Sequence, residues 1–453
     1  MTELTGLQPT VALDAPEPTI TSAAATDAAS SASRGSRLWA LAVLSIVAFL
    51  AAIDRQAFSV LLVPIQKDLH VSDAAMGMLT GSAFAIVYAV IALPIARLAD
   101  RTNRRTMLAV AVAVWSTATV VCGFTSRFAQ ILLARIVVGS AESAQNPASM
   151  SLIGDLATPQ KRGTAIAVTV LGSALGFAAG SALAGALSDR YSWHVAMMVV
   201  GGPGLLVAAL LYLTVKEPAR GAQEGSGQVV TAKENIRECL RRCARIRTLY
   251  PFAAGWICLQ ISFSGWLTWI PAFLMRVHHL SATRMGAVFG SIIACSIVGV
   301  ALSGPLSDFV ARRGARWRLY YCGLCATISV PILAASTLVP TLAETTTLLI
   351  IYTLCSGGLT AVGSAVYVSI APPTMRGFIT AVMGLAAALL GAGSAPVLYG
   401  AVNDVLKKTL GDESLRYTLL LSPLALALAA VFFLVASRTA DQDVEAAGQT
   451  TAG

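Results

Sequence analysis

Charge is what this sequence has least of. Asp, Glu, Lys and Arg make up only 12% of its 453 residues, about half the share of an ordinary soluble domain. Histidine is scarcer still: the four residues, His70, His194, His278 and His279, fall at or near the ends of apolar stretches. They offer no metal centre and no base beside a nucleophile, so neither an enzyme nor a bound cofactor is expected. No glycine-rich loop ending in Lys-Ser or Lys-Thr is present, which excludes a Walker site and ATP drive. The eight cysteines are scattered; Cys322 and Cys325 form a C-x-x-C with no second ligand pair and read as small apolar packing groups.

What the chain does have is apolar residues, 56% of the total, with a mean hydropathy of +0.72. Stretches of about 20 residues, enough to cross a bilayer as helix, recur at 38–62, 74–95, 106–125, 128–148, 164–187, 194–214, 251–275, 284–306, 319–339, 346–371, 378–402 and 417–436. The expected fold is an all-α integral membrane protein of twelve transmembrane helices. Residues 1–36, rich in Ala, Thr, Ser and Pro, read as a disordered cytoplasmic tail, and 438–453 as a second tail. Residues 37–214 and 251–437 form two six-helix halves joined by a linker over 215–250. In that linker Thr231 and Glu234 make a capping box, and Ile236 and Leu240 lie opposite Lys233, Arg237, Arg241 and Arg245. This is the pattern of a basic amphipathic helix on an anionic leaflet, or of a solvated charged connector.

A net charge of +9 invites a nucleic-acid partner, but the placement of the charge argues against one. Outside the spans, one set of loops carries only Lys67, Arg127, Arg190, Arg276, Arg284, Lys407, Lys408 and Arg416. Every other loop Lys and Arg falls on the opposite side with the two tails. The positive-inside rule therefore puts both termini in the cytoplasm of a bacterial inner membrane.

The halves repeat each other. Ser72 opens SDAAMGMLTGS and Ser281 opens SATRMGAVFGS, which share S-x-x-x-M-G-x-x-x-G-S; ARLADRTNRR at 96–105 matches GPLSDFVARRG at 304–314, and ATPQKRG matches APPTMRG. Such parallel repeats imply two bundles about a pseudo-two-fold axis along the membrane normal, with a site between them. Gly172, Gly176 and Gly180 in the fifth stretch, and Gly384, Gly391 and Gly393 in the eleventh, allow close helix approach, within or between the halves.

With these features the chain resembles the major facilitator superfamily over about 37–437. The superfamily's loop motif appears as Ala96-Arg97-Leu98-Ala99-Asp100-Arg101-Thr102-Asn103-Arg104-Arg105, with Ala96 and Asn103 in place of two glycines. The runs DRQAFSVLLVPI, LTGSAFAIVYAVIALPIARLADRTNRR and ARIVVGSAESAQNPASMSLIGDL are similar to the Spinster family, transporters of lysolipids and sphingoid phosphates in animals. The anion and cation symporters for sugar acids and aromatic acids also carry Asp-Arg in the first helix and a Glu in the fourth.

Four ionisable residues lie deep in the spans: Asp54 and Arg55 in the first, Arg135 and Glu142 in the fourth. Each costs about 2.5–3.5 kcal/mol to insert, so four together point to function rather than chance. Adjacent helix residues point about 100° apart, so Asp54 and Arg55 need partners on another helix; the economical pairing is Asp54 with Arg135 and Arg55 with Glu142. Glu142, assisted by Asp54, is the expected proton carrier. Arg55 and Arg135 are the expected anion-binding groups, because a guanidinium fork fits carboxylate or phosphate. Ser262, Trp266, Trp269, Ser364 and Tyr367 are expected to line a neutral, apolar wall of the cavity. Asp100, Arg101, Arg104 and Arg105, with Asp308, Arg312 and Arg313, are expected to latch the cytoplasmic ends.

The resulting expectation is a monomeric secondary transporter, driven by protons, for an amphiphilic, lipid-like or organic anion. A carboxylate proton symporter for sugar acids or aromatic acids is the alternative within the class. A non-transporting sensor or a passive lipid channel is the alternative outside it.

Overall fold

The computed structural model describes residues 34–218, 243, 246–359, 362, 363, 366 and 376–443; the linker helix expected after 231 lies outside them. The first half contains α1 (Arg34–Val60), α2 (Leu62–Leu69), α3 (Asp73–Gly77) and α4 (Ala83–Arg101), α5 (Arg104–Cys122), α6 (Phe128–Glu142) and α7 (Gln145–Leu156), α8 (Pro159–Arg190) and α9 (Trp193–Thr214). The second half contains α10 (Leu249–Arg276), α11 (Ala282–Ala311), α12 (Ala315–Leu338), α13 (Leu342–Ser356), α14 (Arg376–Ala386), α15 (Ala395–Leu410) and α16 (Leu421–Ala436). Among the described residues nine helical stretches are long and apolar enough to cross a membrane, and the elements group as two bundles.

Two spans depart from simple helix at matching places. The second passes through a π-helical turn at Met78–Ser82 and the eleventh through one at Ala387–Gly393. These turns face each other across the bundle interface, where Ser82 Oγ donates to the Gly393 carbonyl at 2.7 Å. A π turn frees carbonyls from the i→i−4 ladder, so the polar bond between bundles is made where the backbone has something to offer.

The fourth span is not continuous. It breaks at Ser143 and Ala144, between α6 and α7. Pro147 supplies the reason: it has no N–H for the Ser143 carbonyl, and its ring crowds that turn. Glu142 is thereby the last residue of α6.

The glycine stripe of α8 packs inside the first bundle. Gly172, Gly176 and Gly180 lie against the backbone of α1 at Ser45, Phe49 and Ile53, leaving no room for a methyl group. Of the two roles open to that stripe, the structure assigns it to joining the first and fifth spans, not to sliding between bundles.

Candidate transport site

Asp54 and Arg55 come from the last two turns of α1, Arg135 and Glu142 from α6, and the two helices bring them together. Arg55 Nη1 donates to Glu142 Oε2 at 2.7 Å; the glutamate is fully buried and the arginine side chain is 28% exposed, so the cation is the member that reaches open space. Asp54 is buried and accepts a hydrogen bond from Thr119 Oγ1 of α5 at 2.9 Å. Asp54 Oδ1 and Glu142 Oε1 are both buried and take no bond from an N–H or hydroxyl.

The expected Arg55–Glu142 pair is present, whereas the expected Asp54–Arg135 ion pair is not. Arg135 instead sits over aromatic faces, 3.9 Å from the ring centroid of Phe58 and 5.2 Å from that of Phe84. Its Nε and Nη1 are buried without a hydrogen-bond partner. Stacking between a ring quadrupole and a guanidinium holds the charge where no carboxylate is in contact. The rings that capture it come from α1 and α4, a proximity that residue spacing along α6 does not reveal.

The second half contributes a cavity of about 180 Å³ between α8, α10, α11 and α13, walled by Phe177, Phe263, Trp266, Ile293 and Tyr352 among others. Trp266 lines it, packed 5.5 Å from Tyr352 and 5.7 Å from Phe289 between ring centroids. Ser262 is buried behind this wall, within reach of the Tyr352 hydroxyl. Trp269 does not line the cavity: it is fully buried and its Nε1 donates to the Pro396 carbonyl of α15 at 3.1 Å. Its indole N–H needs an acceptor once buried, and the carbonyl near the start of α15 supplies it. Ser364 and Tyr367 lie outside the described residues.

A second polar cluster, not anticipated from sequence, closes one end of the molecule. Asp73 at the start of α3 is fully buried, pairs with Arg276 of α10 at 2.7 Å, and accepts from Asn403 of α15 at 2.7 Å; Gln66 bonds both Asp73 and Arg276. Asp404 of α15 accepts from the free backbone N–H groups of Asp73 and Ala74, each at 2.9 Å. Asp189 of α8 does the same for Ala282 and Thr283 at the start of α11, at 3.1 and 2.6 Å. Each carboxylate thus caps the helix that begins the second span of the opposite bundle, where orphan donors and the positive end of the dipole favour an anion.

The two caps are related by the internal repeat. Gly185-Ala-Leu-Ser-Asp189 and Gly400-Ala-Val-Asn-Asp404 share G-A-x-x-D. Gly185 lies against the backbone of Ala282 as Gly400 lies against that of Asp73, and Gly286 and Gly77 similarly meet the backbones of α8 and α15. The S-x-x-x-M-G-x-x-x-G-S repeat marks the helix starts being capped; G-A-x-x-D marks the carboxylates that cap them. The second repeat was the signal available in the sequence.

A sequence description of the Major Facilitator Superfamily matches residues 44–396. The chain belongs to this superfamily. Within it, the chain is 28% identical to an MFS-type efflux pump of Mycolicibacterium smegmatis, over 90% of this chain and 94% of the pump. It is 25% identical to a sphingosine-1-phosphate transporter of Danio rerio, over 88% of this chain and 83% of that one. Among solved structures it resembles a bacterial homolog of the human lysosomal transporter Spinster, in an inward-facing and unoccupied conformation. The TM-score is 0.83 with 26% identity, covering 91% of this chain and 99% of that one. The Spinster-like character and the two-bundle all-α membrane fold are thereby established.

At the other end of this superfamily member, the loop-motif residues divide. Arg104 is buried and binds Asp155, Ser151, Glu217 and the Pro218 carbonyl. Arg105 donates to the Val215 carbonyl at 3.2 Å and lies over Tyr212. None of these partners belongs to the second half: Arg104 ties the third span to the fourth and to the start of the linker, and Arg105 ties it to the end of the sixth span and the first linker residues. Arg101, Arg312 and Arg313 are exposed. The side chains of Asp100 and Asp308 lie outside the described ones.

Proposed function

We propose that this chain is a proton-coupled secondary transporter that moves an amphiphilic or organic anion across the cytoplasmic membrane by alternating access. The observation that carries the reading is the meeting of Asp54, Glu142 and Arg55. Two buried carboxylates close to one another repel, so one of them readily takes up a proton, and Glu142 is paired with the cation that reaches open space. A proton on Glu142 releases Arg55 to hold the anionic group of a substrate; loss of the proton restores the ion pair and expels the anion. Arg135 supplies a fixed positive field, and the aromatic cavity around Trp266 receives the apolar part of the substrate. The relatives include an efflux pump and a sphingosine-1-phosphate transporter, which supports an amphiphilic cargo.

The excess of Lys and Arg puts both termini in the cytoplasm. The end closed by Asp73, Asp189, Arg276 and Asp404 then faces outward. Asp100 with Arg101, and Asp308 with Arg312 and Arg313, engage across the cytoplasmic ends when the outer end opens.

Reconstituted protein given a stepped pH gradient should drive uphill movement of a labelled lysolipid or organic acid. The Glu142→Gln variant should retain substrate exchange but lose dependence on the gradient. Full gradient dependence in that variant rejects the assignment of Glu142, and absence of uphill movement by the parent protein with every substrate tried rejects coupled transport.

A further inference from the structure

A groove of about 820 Å³ opens on the first bundle between the beginnings of α1 and α8 and the end of α7, a volume typical of ligand sites. Its floor is apolar, made by Leu38, Leu41, Ala42, Leu156, Ala165 and Val168, while Arg37 and Lys161 carry positive charge into its lining beside Thr158 and Thr164. The groove faces the bilayer. Phe177 of α8 lines the internal cavity; Val168, nine residues earlier and so half a revolution round the helix, points the opposite way and is 47% exposed.

The depth of the groove is set by Trp39, two residues beyond Arg37. Its ring is partly exposed and its Nε1 donates to Thr214 Oγ1 at 2.8 Å. An indole with one wet and one apolar side belongs at the membrane–water boundary. Arg37 is therefore at headgroup level, and the apolar floor runs from it towards acyl-chain depth. Both helices belong to one bundle and are locked by the Gly172, Gly176 and Gly180 contacts, so the groove survives rocking of the bundles and is separate from the transport site.

We propose that this groove is a resident site for an anionic phospholipid of the adjoining leaflet. Its phosphate lies between Arg37 and Lys161, and one acyl chain lies along Leu38, Leu41, Ala42, Ala165 and Val168. The charge selects the headgroup, and the apolar floor requires a chain.

The test is native mass spectrometry and thermal stability of the full chain in neutral detergent, with phosphatidylglycerol, phosphatidylcholine or glycerol phosphate added separately. Phosphatidylglycerol should be retained at least tenfold more strongly than phosphatidylcholine and should raise the melting temperature, whereas glycerol phosphate should do neither. Arg37→Gln with Lys161→Gln should abolish the preference between headgroups. Val168→Trp, which fills the floor and leaves the charges in place, should reduce retention of both phospholipids. Equal retention of the two lipids by the parent protein, an unchanged preference in the charge variant, or stabilisation by glycerol phosphate alone overturns the proposal. Unchanged retention in the Val168→Trp variant does so as well.

Discussion

Arg55 Nη1 meets Glu142 Oε2 at 2.7 Å across the interface of the first and fourth spans, and Glu142 stands at a helix end that Pro147 creates. Breaking such a pair from one side leaves a buried, unmatched charge, at a cost of about 3–5 kcal/mol. Arg55→Ala should therefore lower the melting temperature by several degrees and reduce anion binding at least tenfold. Adding Glu142→Gln should restore much of the stability and none of the binding. Differential scanning fluorimetry and equilibrium binding of a labelled anion separate the two effects.

The twin carboxylate caps predict a graded opening. Each charged hydrogen-bond set contributes about 1.5–3 kcal/mol, so Asp189→Asn or Asp404→Asn should shift the balance towards the state open at that end by about tenfold or more. The double variant should shift it further. Spin labels at exposed Arg127 and Lys408 report the separation of those ends; an unchanged distance distribution in the double variant shows that the caps do not hold the closed state.

Packing at the same interface gives a steric version of this prediction. Gly77 and Gly286 each face backbone of the other bundle with no room for a methyl group, whereas Gly384 has nothing near it. Gly77→Ala and Gly286→Ala should widen the Arg127–Lys408 label distances. Gly384→Ala should leave them alone and stabilise its helix by up to about 1 kcal/mol.

Arg104 anchors the start of the linker. Arg104→Ala removes the guanidinium that joins Asp155 and Glu217 and should cost about 1.5–3 kcal/mol, seen as a fall in melting temperature. The exposed neighbour Arg101 changed to Ala should have almost no effect on stability while altering transport. Equal losses of stability in both would contradict the division of roles.

His278, in the loop after α10, is held below the usual histidine value of 6.5 by burial and then by the Arg416 guanidinium. Its Nε2 lies 3.3 Å from Thr345 Oγ1. A lowered folded-state pKa means the unfolded chain takes up the proton first. This contribution to stability is present above about pH 6.5 and falls as the pH drops towards the folded value. Melting curves of the parent and His278→Gln should diverge least at acid pH and most near neutrality.

The apolar spans, the two repeated halves and the four deep charges were legible in the residues alone, because hydropathy and the cost of burying an ion act locally along the chain. The pairing of Arg55 with Glu142 was legible there too. Tertiary structure decided what Arg135 faces, since rings from α1 and α4 compete for it at short range, and it turned Trp269 from the cavity into a helix contact. The shared G-A-x-x-D marks Asp189 and Asp404 as related, but only the packed bundles showed what each of them caps. A carboxylate at a helix end carries no sign in sequence of which distant helix start lies against it, and that partner is chosen by how two bundles meet.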